Sequence, residues 1–174
     1  NATALRKANN KVNNRRQALR IEHRVSSVGL SQLQEKDWIE YGLYLQQGNE
    51  IVMNIYHAMK RLVEPAFEHI DNNFEPVTKE QIEVFNGTGV EIIAFLEKCH
   101  NYILGKTNNL DTLIEESNIL ERRLARIKRD EMQYIRATSA SKKVDFVYLT
   151  LLQESQNIVA YTINLLKVNK KFQG

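Results

Sequence analysis

The stretch WIEYGLYLQQGNEIVMNIYHAMKRLVEPA, residues 38–66, decides the fold class. Apolar or small residues recur through it in alternating steps of three and four, which keeps them on one side of an α-helix. The members of this stripe are Trp38, Tyr41, Leu45, Gly48, Val52, Ile55, Met59, Leu62 and Ala66. Because the stripe continues without interruption, the sequence predicts one long helix from about Leu30 to His69 that packs one face against neighbouring helices.

A second helix is predicted between a start signal and a stop signal. Thr78 is followed three residues later by Gln81, the capping-box pattern that satisfies free amides at a helix start. Gly105, with two asparagines after it, provides the stop and the turn. The predicted buried stripe is Ile82, Phe85, Gly89, Ile92, Leu96, Cys99 and Ile103. Cys99 is therefore predicted to be a core residue.

Two more stripes with the same period complete the pattern. The third helix has Leu110, Leu113, Ser117, Leu120, Leu124, Ile127, Glu131 and Tyr134. The fourth has Val144, Tyr148, Leu151, Ser155, Ile158, Thr162 and Leu165. Short connections between long helices place them antiparallel and side by side. We predict an all-α fold, an antiparallel up-and-down bundle of four long helices over 29–174, preceded by a basic N-terminal helix within 1–28.

Composition agrees with helices and excludes several classes of protein. The 174 residues include only two prolines and seven glycines, too few for the many turns of a β-sandwich or barrel. One cysteine cannot form an internal disulfide. No apolar run approaches the ~18 residues of a membrane-spanning helix. Because the sequence starts at Asn1 rather than Met, we expect it to be a piece of a longer protein.

The net charge of +3 is concentrated at the start of the chain. Within residues 1–24 the only acidic residue is Glu22, against Arg6, Lys7, Lys11, Arg15, Arg16, Arg20 and Arg24. Such a segment can contact anionic lipid headgroups, an acidic partner or nucleic acid, although a solvated helix face is the commoner explanation. The absence of a recognition helix or an aromatic stacking platform in the sequence disfavours nucleic acid.

No pattern for catalysis, a cofactor or a metal stands out. A di-iron bundle needs two Glu-x-x-His pairs, and only Glu97 with His100 fits one. The other histidines lack the spacing of a zinc site. There is no Gly-x-Ser-x-Gly elbow and no Walker-type Gly-Lys-Ser/Thr. We therefore expect a chain that is not an enzyme and has neither cofactor nor metal.

Four stretches resemble a known family. They are LQEKDWIEYGLYLQ (33–46), YHAM (56–59), LVEPAFEHIDNN (62–73) and LLQESQNIVAYTINLL (151–166). They are similar to the C-terminal PhoU-like domain of bacterial sodium/phosphate cotransporters (the Na/Pi-cotransporter II-related family). The resemblance extends from about Arg15 to Phe172 and lies in the general sequence pattern of the helices rather than in a catalytic motif.

The resemblance implies a non-catalytic regulatory or assembly domain of a sodium-dependent phosphate transporter, at the cytoplasmic face of the bacterial inner membrane. It implies the protein's own membrane transport domain as partner, with the basic segment as a juxtamembrane connector near anionic lipid. Proteins of the PhoU type bind metal clusters through acidic repeats. Here the corresponding stretches, 41–45 and 154–158, lack those repeats, so no metal site is carried over.

Two alternatives stay open at this stage. One is a free-standing helical adaptor that dimerises through an exposed apolar stripe or binds nucleic acid through residues 6–24. The other is a metalloenzyme bundle centred on Glu97 and His100, which the predicted fold permits.

Overall fold

A computed structural model describes residues 3, 4, 6–8, 10, 11, 13–18, 35–72, 74–138 and 143–173, with the backbone alone for 35–38, 172 and 173. These residues form α-helices and short connections, without a β-strand among them. The predicted all-α class is confirmed. None of the helices in the described ranges is long and apolar enough to cross a membrane.

Four long helices follow a shorter N-terminal one. Helix α1 lies within 3–18, where every described residue is helical. The long helices are α2 (Glu35–Asp71), α3 (Lys79–Ile103), α4 (Leu110–Thr138) and α5 (Lys143–Gln173). Helix α2 ends two residues beyond the predicted His69, and its predicted start near Leu30 lies outside the described residues, as does the predicted boundary at 28/29.

The predicted helix signals around α3 are confirmed. The Gln81 amide donates to Thr78 Oγ1 at 3.1 Å, and the Thr78 amide donates to Gln81 Oε1 at 3.0 Å, which together make a complete capping box. At the other end, Gly105 has φ +69°, a left-handed conformation that a residue with a Cβ adopts only at a cost. The chain reverses there and α4 begins six residues after Leu104.

Contacts between side chains show that neighbouring helices are antiparallel. Between α3 and α4, Lys98 pairs with Glu116 and Glu91 pairs with Arg123, so the residue number rises on one helix as it falls on the other. The pairs that join α2 to α5 have the same inverse order. They are Tyr44 with Lys171, Gly48 with Val168, and Arg61 with Glu154.

Helix α5 lies at the centre of the molecule, and this corrects the predicted arrangement. It packs against α2, α3 and α4, and α3 also packs against α4, whereas α2 packs against neither α3 nor α4 among the described elements. The prediction that successive helices lie side by side is therefore wrong for α2 and α3. The molecule is a three-helix bundle of α3, α4 and α5, with α2 added on the other side of α5.

The physical reason is that α5 is apolar on two faces. Its residues Tyr148, Leu152, Val159 and Leu166 belong to a buried cluster with α3 and α4. The same helix presents Val168 to the backbone of α2, where a Cβ added to Gly48 would lie 3.8 Å from Val168 Cγ1. A helix with apolar residues on both faces is stabilised by neighbours on both sides.

The predicted stripes are confirmed in α5 and in most of α4. All predicted α5 residues from Val144 to Thr162 are buried, and the α4 stripe is buried from Leu110 to Leu124. Tyr134, at the end of the α4 stripe, is 63% exposed, so its predicted burial is wrong.

In α3 the predicted face is rotated relative to the observed one. Cys99 is 1% exposed, as predicted, but Ile82 and Ile103 are exposed, and the buried positions include Phe95 and Tyr102 instead. Among the described helices, α3 packs against α4 and α5 alone, and α2 does not cover its other side, which accounts for the rotation.

Candidate functional site

The basic helix α1 lies along α2. Tyr56, which is buried in α2, donates its hydroxyl proton to Asn13 Oδ1 at 2.8 Å, and the Arg16 guanidinium lies 4.9 Å from the centre of the same ring. Nearer the start of α1, the Arg6 guanidinium lies 5.3 Å from the ring of Phe67. Residue numbers in these contacts rise along α1 as they fall along α2, so the two helices are antiparallel. Two cation–π contacts and one hydrogen bond attach α1 to α2.

Most of the predicted basic residues of α1 point into solvent. Arg6, Lys7, Lys11 and Arg15 are exposed and Arg16 is half-buried, whereas Arg20 and Arg24 lie outside the described residues. Within the described part of the chain, none of these five cations forms an ion pair with a carboxylate. The structure therefore brings five of the seven predicted residues together on one helix, without a carboxylate partner for any of them among the described residues.

A recess of about 870 Å³, which we call the α1 groove, opens between α1, α2 and α5. Its floor is apolar and is formed by Val52, Ile55 and Met59 of α2 and Leu165 of α5. The α1 wall carries basic residues, and the Nε atom of Arg16 in this wall is buried with no hydrogen-bond partner among the described residues. The basic residues that line the groove within the described ranges are Lys11, Arg15 and Arg16.

A second cleft, of about 560 Å³, lies where the start of α3, the end of α4 and the start of α5 meet. Its lining is acidic and includes Glu80, Asp130, Glu131 and Asp145. Burial raises the pKa of Glu131, the Gln81 side chain lowers it by donating a hydrogen bond at 2.7 Å, and the charge of Asp145 raises it further. The net effect is upward. The negative charge of this lining disfavours anions, so the cleft is unsuited to phosphate.

Sequence reasoning missed this acidic cleft. The one available signal was Glu131, a carboxylate at a position of the predicted apolar stripe of α4. Its partners come from 50 residues earlier in the chain, in the case of Gln81, and from the next helix, in the case of Asp145. Periodicity within one helix cannot show such partners.

The residues considered for metal binding or nucleophilic chemistry are not arranged for either. Glu97 and His100 are exposed and lie beside Ile93 and Leu96 on the outer surface of α3, away from the bundle core. The described residues contain no group of three or more His, Cys, Asp or Glu side chains placed to hold a metal ion. Burial raises the pKa of Cys99 to about 12, so its thiol stays protonated at neutral pH.

An ion pair between a buried carboxylate and a half-exposed guanidinium connects α2 to α5. Arg61 donates through Nε to Glu154 Oε1 at 2.8 Å and through its terminal nitrogen to Oε2 at 2.9 Å, a bidentate geometry. Asn157 donates a third hydrogen bond to Glu154 at 3.0 Å. Burial alone would raise the pKa of Glu154, but the hydrogen bonds from Arg61 and Asn157, with the Arg61 charge, lower it. The Glu154 carboxylate thus serves as an attachment point between helices.

No protein-family model, curated protein or solved structure matches the chain. The α1 groove is a stronger candidate site than the acidic cleft, because it combines, within the described part of the chain, cations without carboxylate partners, an apolar floor and an unpartnered polar atom in one place.

Proposed function

We propose that this chain is a non-catalytic helical domain that docks onto an anionic surface through α1. The observation that carries the proposal is that α1 lies on the outside of the bundle with its Lys and Arg side chains unpaired within the described residues. A Lys or Arg close to an anionic leaflet contributes about 1 kcal/mol to binding. Because several such cations lie on one helix face, their contributions to the free energy of binding add, and together they favour binding to an anionic surface.

The setting that we propose is the cytoplasmic face of a bacterial inner membrane, as the PhoU-like regulatory or assembly domain of a sodium-dependent phosphate transporter. Its support is the sequence resemblance of residues 33–46 and 151–166 to such domains. The partner would be the transport domain of the same protein. Phosphate would bind in that transport domain, in keeping with the acidic lining of the described cleft.

Vesicle flotation tests the docking function. Phosphatidylglycerol vesicles should bind the protein at low salt, and phosphatidylcholine vesicles should not. The triple variant Lys7→Glu, Lys11→Glu, Arg15→Glu should bind at least about a hundredfold more weakly, since three contributions of ~1 kcal/mol are removed and reversed.

The matched control for that variant is Lys106→Glu, Arg126→Glu, Arg129→Glu. These residues are also exposed, and the variant has the same net charge, but they belong to α4 and the turn before it rather than to α1. An equal loss of binding in both variants would show that net charge rather than the α1 surface attracts the protein, and the proposal would be wrong.

The transporter setting has its own test in the coding sequence upstream of Asn1. Two clusters of apolar spans of about 20 residues each would support it. A nearby start codon without such spans would leave a free-standing helical adaptor, and the docking function of α1 would then apply to another anionic partner.

A second candidate function, dimerisation, is favoured by the side of α3 that no described helix covers. Ile82, Val90 and Ile93 are exposed there, and the position next to them, Gly89, has open space around it. Sedimentation equilibrium of the wild type and of Ile93→Glu tests this candidate. A dimer that Ile93→Glu dissociates would support the adaptor function, whereas a monomer at all concentrations would exclude it.

A further inference from the structure

The α1 groove has the form of a site for a small ligand. Pockets that bind small molecules have volumes of roughly 300–1,000 Å³, and this recess, at about 870 Å³, falls within that range. It is concave and lies between three helices, unlike a flat patch for a protein partner. Along its α1 wall, from Ala8 to Ala18, it is about 15 Å long at the α-helical rise of ~1.5 Å per residue.

The chemistry of the groove differs between floor and wall. Val52, Ile55, Met59 and Leu165 offer methyl groups and one thioether, which have no hydrogen-bond donor and at most a weak acceptor. The Tyr56 hydroxyl, a polar group at the floor, already donates its proton to Asn13. A ligand on this floor therefore needs an apolar part that requires no hydrogen bonds, which an alkyl chain satisfies and a peptide backbone does not.

The wall adds a requirement for negative charge. Lys11 and Arg15 are exposed at the groove and have no carboxylate partner among the described residues. The Arg16 Nε atom is buried and unpartnered within the same part of the chain. Three cations on one wall favour an anionic group there, because hydrogen bonds from a guanidinium or ammonium group to an anionic oxygen are charge-assisted.

We propose that the α1 groove binds the acyl chain of a single-chain anionic amphiphile, a fatty acid or a lysophospholipid, with Lys11, Arg15 and Arg16 around its headgroup. This inference rests on the proposed function of α1 at an anionic surface, and it adds a specific ligand to that function. The chain would lie on the floor of α2 and α5 residues, and the headgroup would lie against the α1 wall.

A series of alkyl phosphates from hexyl to tetradecyl, titrated calorimetrically below their micelle concentrations, tests the proposal. Each added methylene buried in the groove should lower Kd about fourfold. The affinity should stop increasing once the alkyl chain is long enough to reach the end of the groove. Alkyl glucosides of the same lengths should bind at least tenfold more weakly with the same dependence on length, because they lack the negative charge.

Two groove variants and one control locate the binding. Met59→Glu introduces a charge at a floor position that is already 38% exposed, and Met132→Glu makes the same change at a position on α4 that is 40% exposed. Met59→Glu should raise Kd for dodecyl phosphate more than tenfold, and Met132→Glu should leave it unchanged. Ala18→Trp, which fills the groove from the α1 wall, should act like Met59→Glu and keeps the test valid if Met59→Glu unfolds.

The outcomes separate this inference from the proposed function. Salt-sensitive binding of alkyl phosphates that does not depend on chain length would overturn the proposal that the groove binds an acyl chain, and so would binding that Met59→Glu and Ala18→Trp leave intact. Neither result would affect the proposed docking to vesicles. If the protein binds alkyl phosphates more tightly as their chains lengthen but does not bind anionic vesicles, acyl-chain binding in the groove is supported and the docking function is overturned. Equal weakening by Met59→Glu and Met132→Glu would also overturn the proposal.

Discussion

Replacing Arg61 with Met should destabilise the protein by about 2–3 kcal/mol at pH 7. The change removes two charge-assisted hydrogen bonds and leaves the Glu154 carboxylate, whose side chain is 9% exposed, with the single hydrogen bond from Asn157. Breaking a fully buried pair costs about 3–5 kcal/mol. The lower value applies here because the Arg61 side chain is 49% exposed, so water can reach the carboxylate that it leaves.

Urea denaturation at pH 7 gives this change in the free energy of unfolding directly. The corresponding fall in Tm is about 5–10 °C for a chain of this length. Lys60→Met is the matched control in the neighbouring residue. Lys60 pairs with Glu64 at 3.4 Å on the exposed surface of α2, and such pairs are worth at most about 0.5 kcal/mol.

The pH dependence makes the prediction stricter. In the wild type the pKa of Glu154 is lowered, so its stabilising contribution is complete above the ordinary carboxyl pKa and is lost as the pH falls through the lower folded value. In Arg61→Met the carboxylate is buried without its cation, which raises its pKa, so protonation relieves the folded state as the pH falls. The difference between the two proteins should therefore shrink from pH 7 to pH 4. A difference below about 0.5 kcal/mol at pH 7, or one that grows at pH 4, would refute this reasoning.

Three further predictions concern the backbone, the thiol and the core. Gly105→Ala should lower the free energy of unfolding by about 1 kcal/mol, because the φ angle of residue 105 is +69°. Gly89→Ala should raise it by up to about 1 kcal/mol, because residue 89 is helical and has open space around it. Urea denaturation measures both changes. Cys99 should not react with Ellman's reagent at pH 8 until urea unfolds the protein, since its pKa is about 12, and prompt reaction in the native state would contradict its burial. Leu166→Ala should lower the free energy of unfolding by about 2–5 kcal/mol, because Leu166 is fully buried. Phe146→Ala should lower it by less than about 0.5 kcal/mol, because Phe146 is 66% exposed. Similar losses in the two variants would show that the core is assigned wrongly.

The sequence predicted the fold class and several helix ends for local reasons. A period of 3.6 residues is a property of each helix alone, and so are the capping box of Thr78 with Gln81 and the left-handed turn at Gly105. The order in which helices pack is not local. Residues 151–166 carry apolar residues on two faces of α5, whereas the predicted stripe includes only one of these faces. Counting both would have indicated a central helix.

The predicted face of α3 is wrong for a second reason besides the position of α2. The buried side of α3 includes polar residues, which a ranking by hydrophobicity places outside. Thr88 is 1% exposed and donates to the Val84 carbonyl oxygen at 2.8 Å, and Gln81 donates to Glu131. Since these hydrogen bonds satisfy the polar groups, they can be buried at little cost. The more apolar Ile82 and Ile93 remain exposed on the uncovered side.

The α1 groove follows from the same departure from a closed bundle. In a closed bundle α2 would have two long neighbours, but here its long neighbour is α5 alone among the described elements. Val52 and Ile55 are consequently only half-buried, and Met59 is 38% exposed. A short helix that covered them with apolar side chains would close the molecule. The described residues that α1 brings to this recess include Lys11, Arg15 and Arg16, whose charged ends cannot complete an apolar core, and among the described residues the recess lies open between an apolar floor and a basic wall.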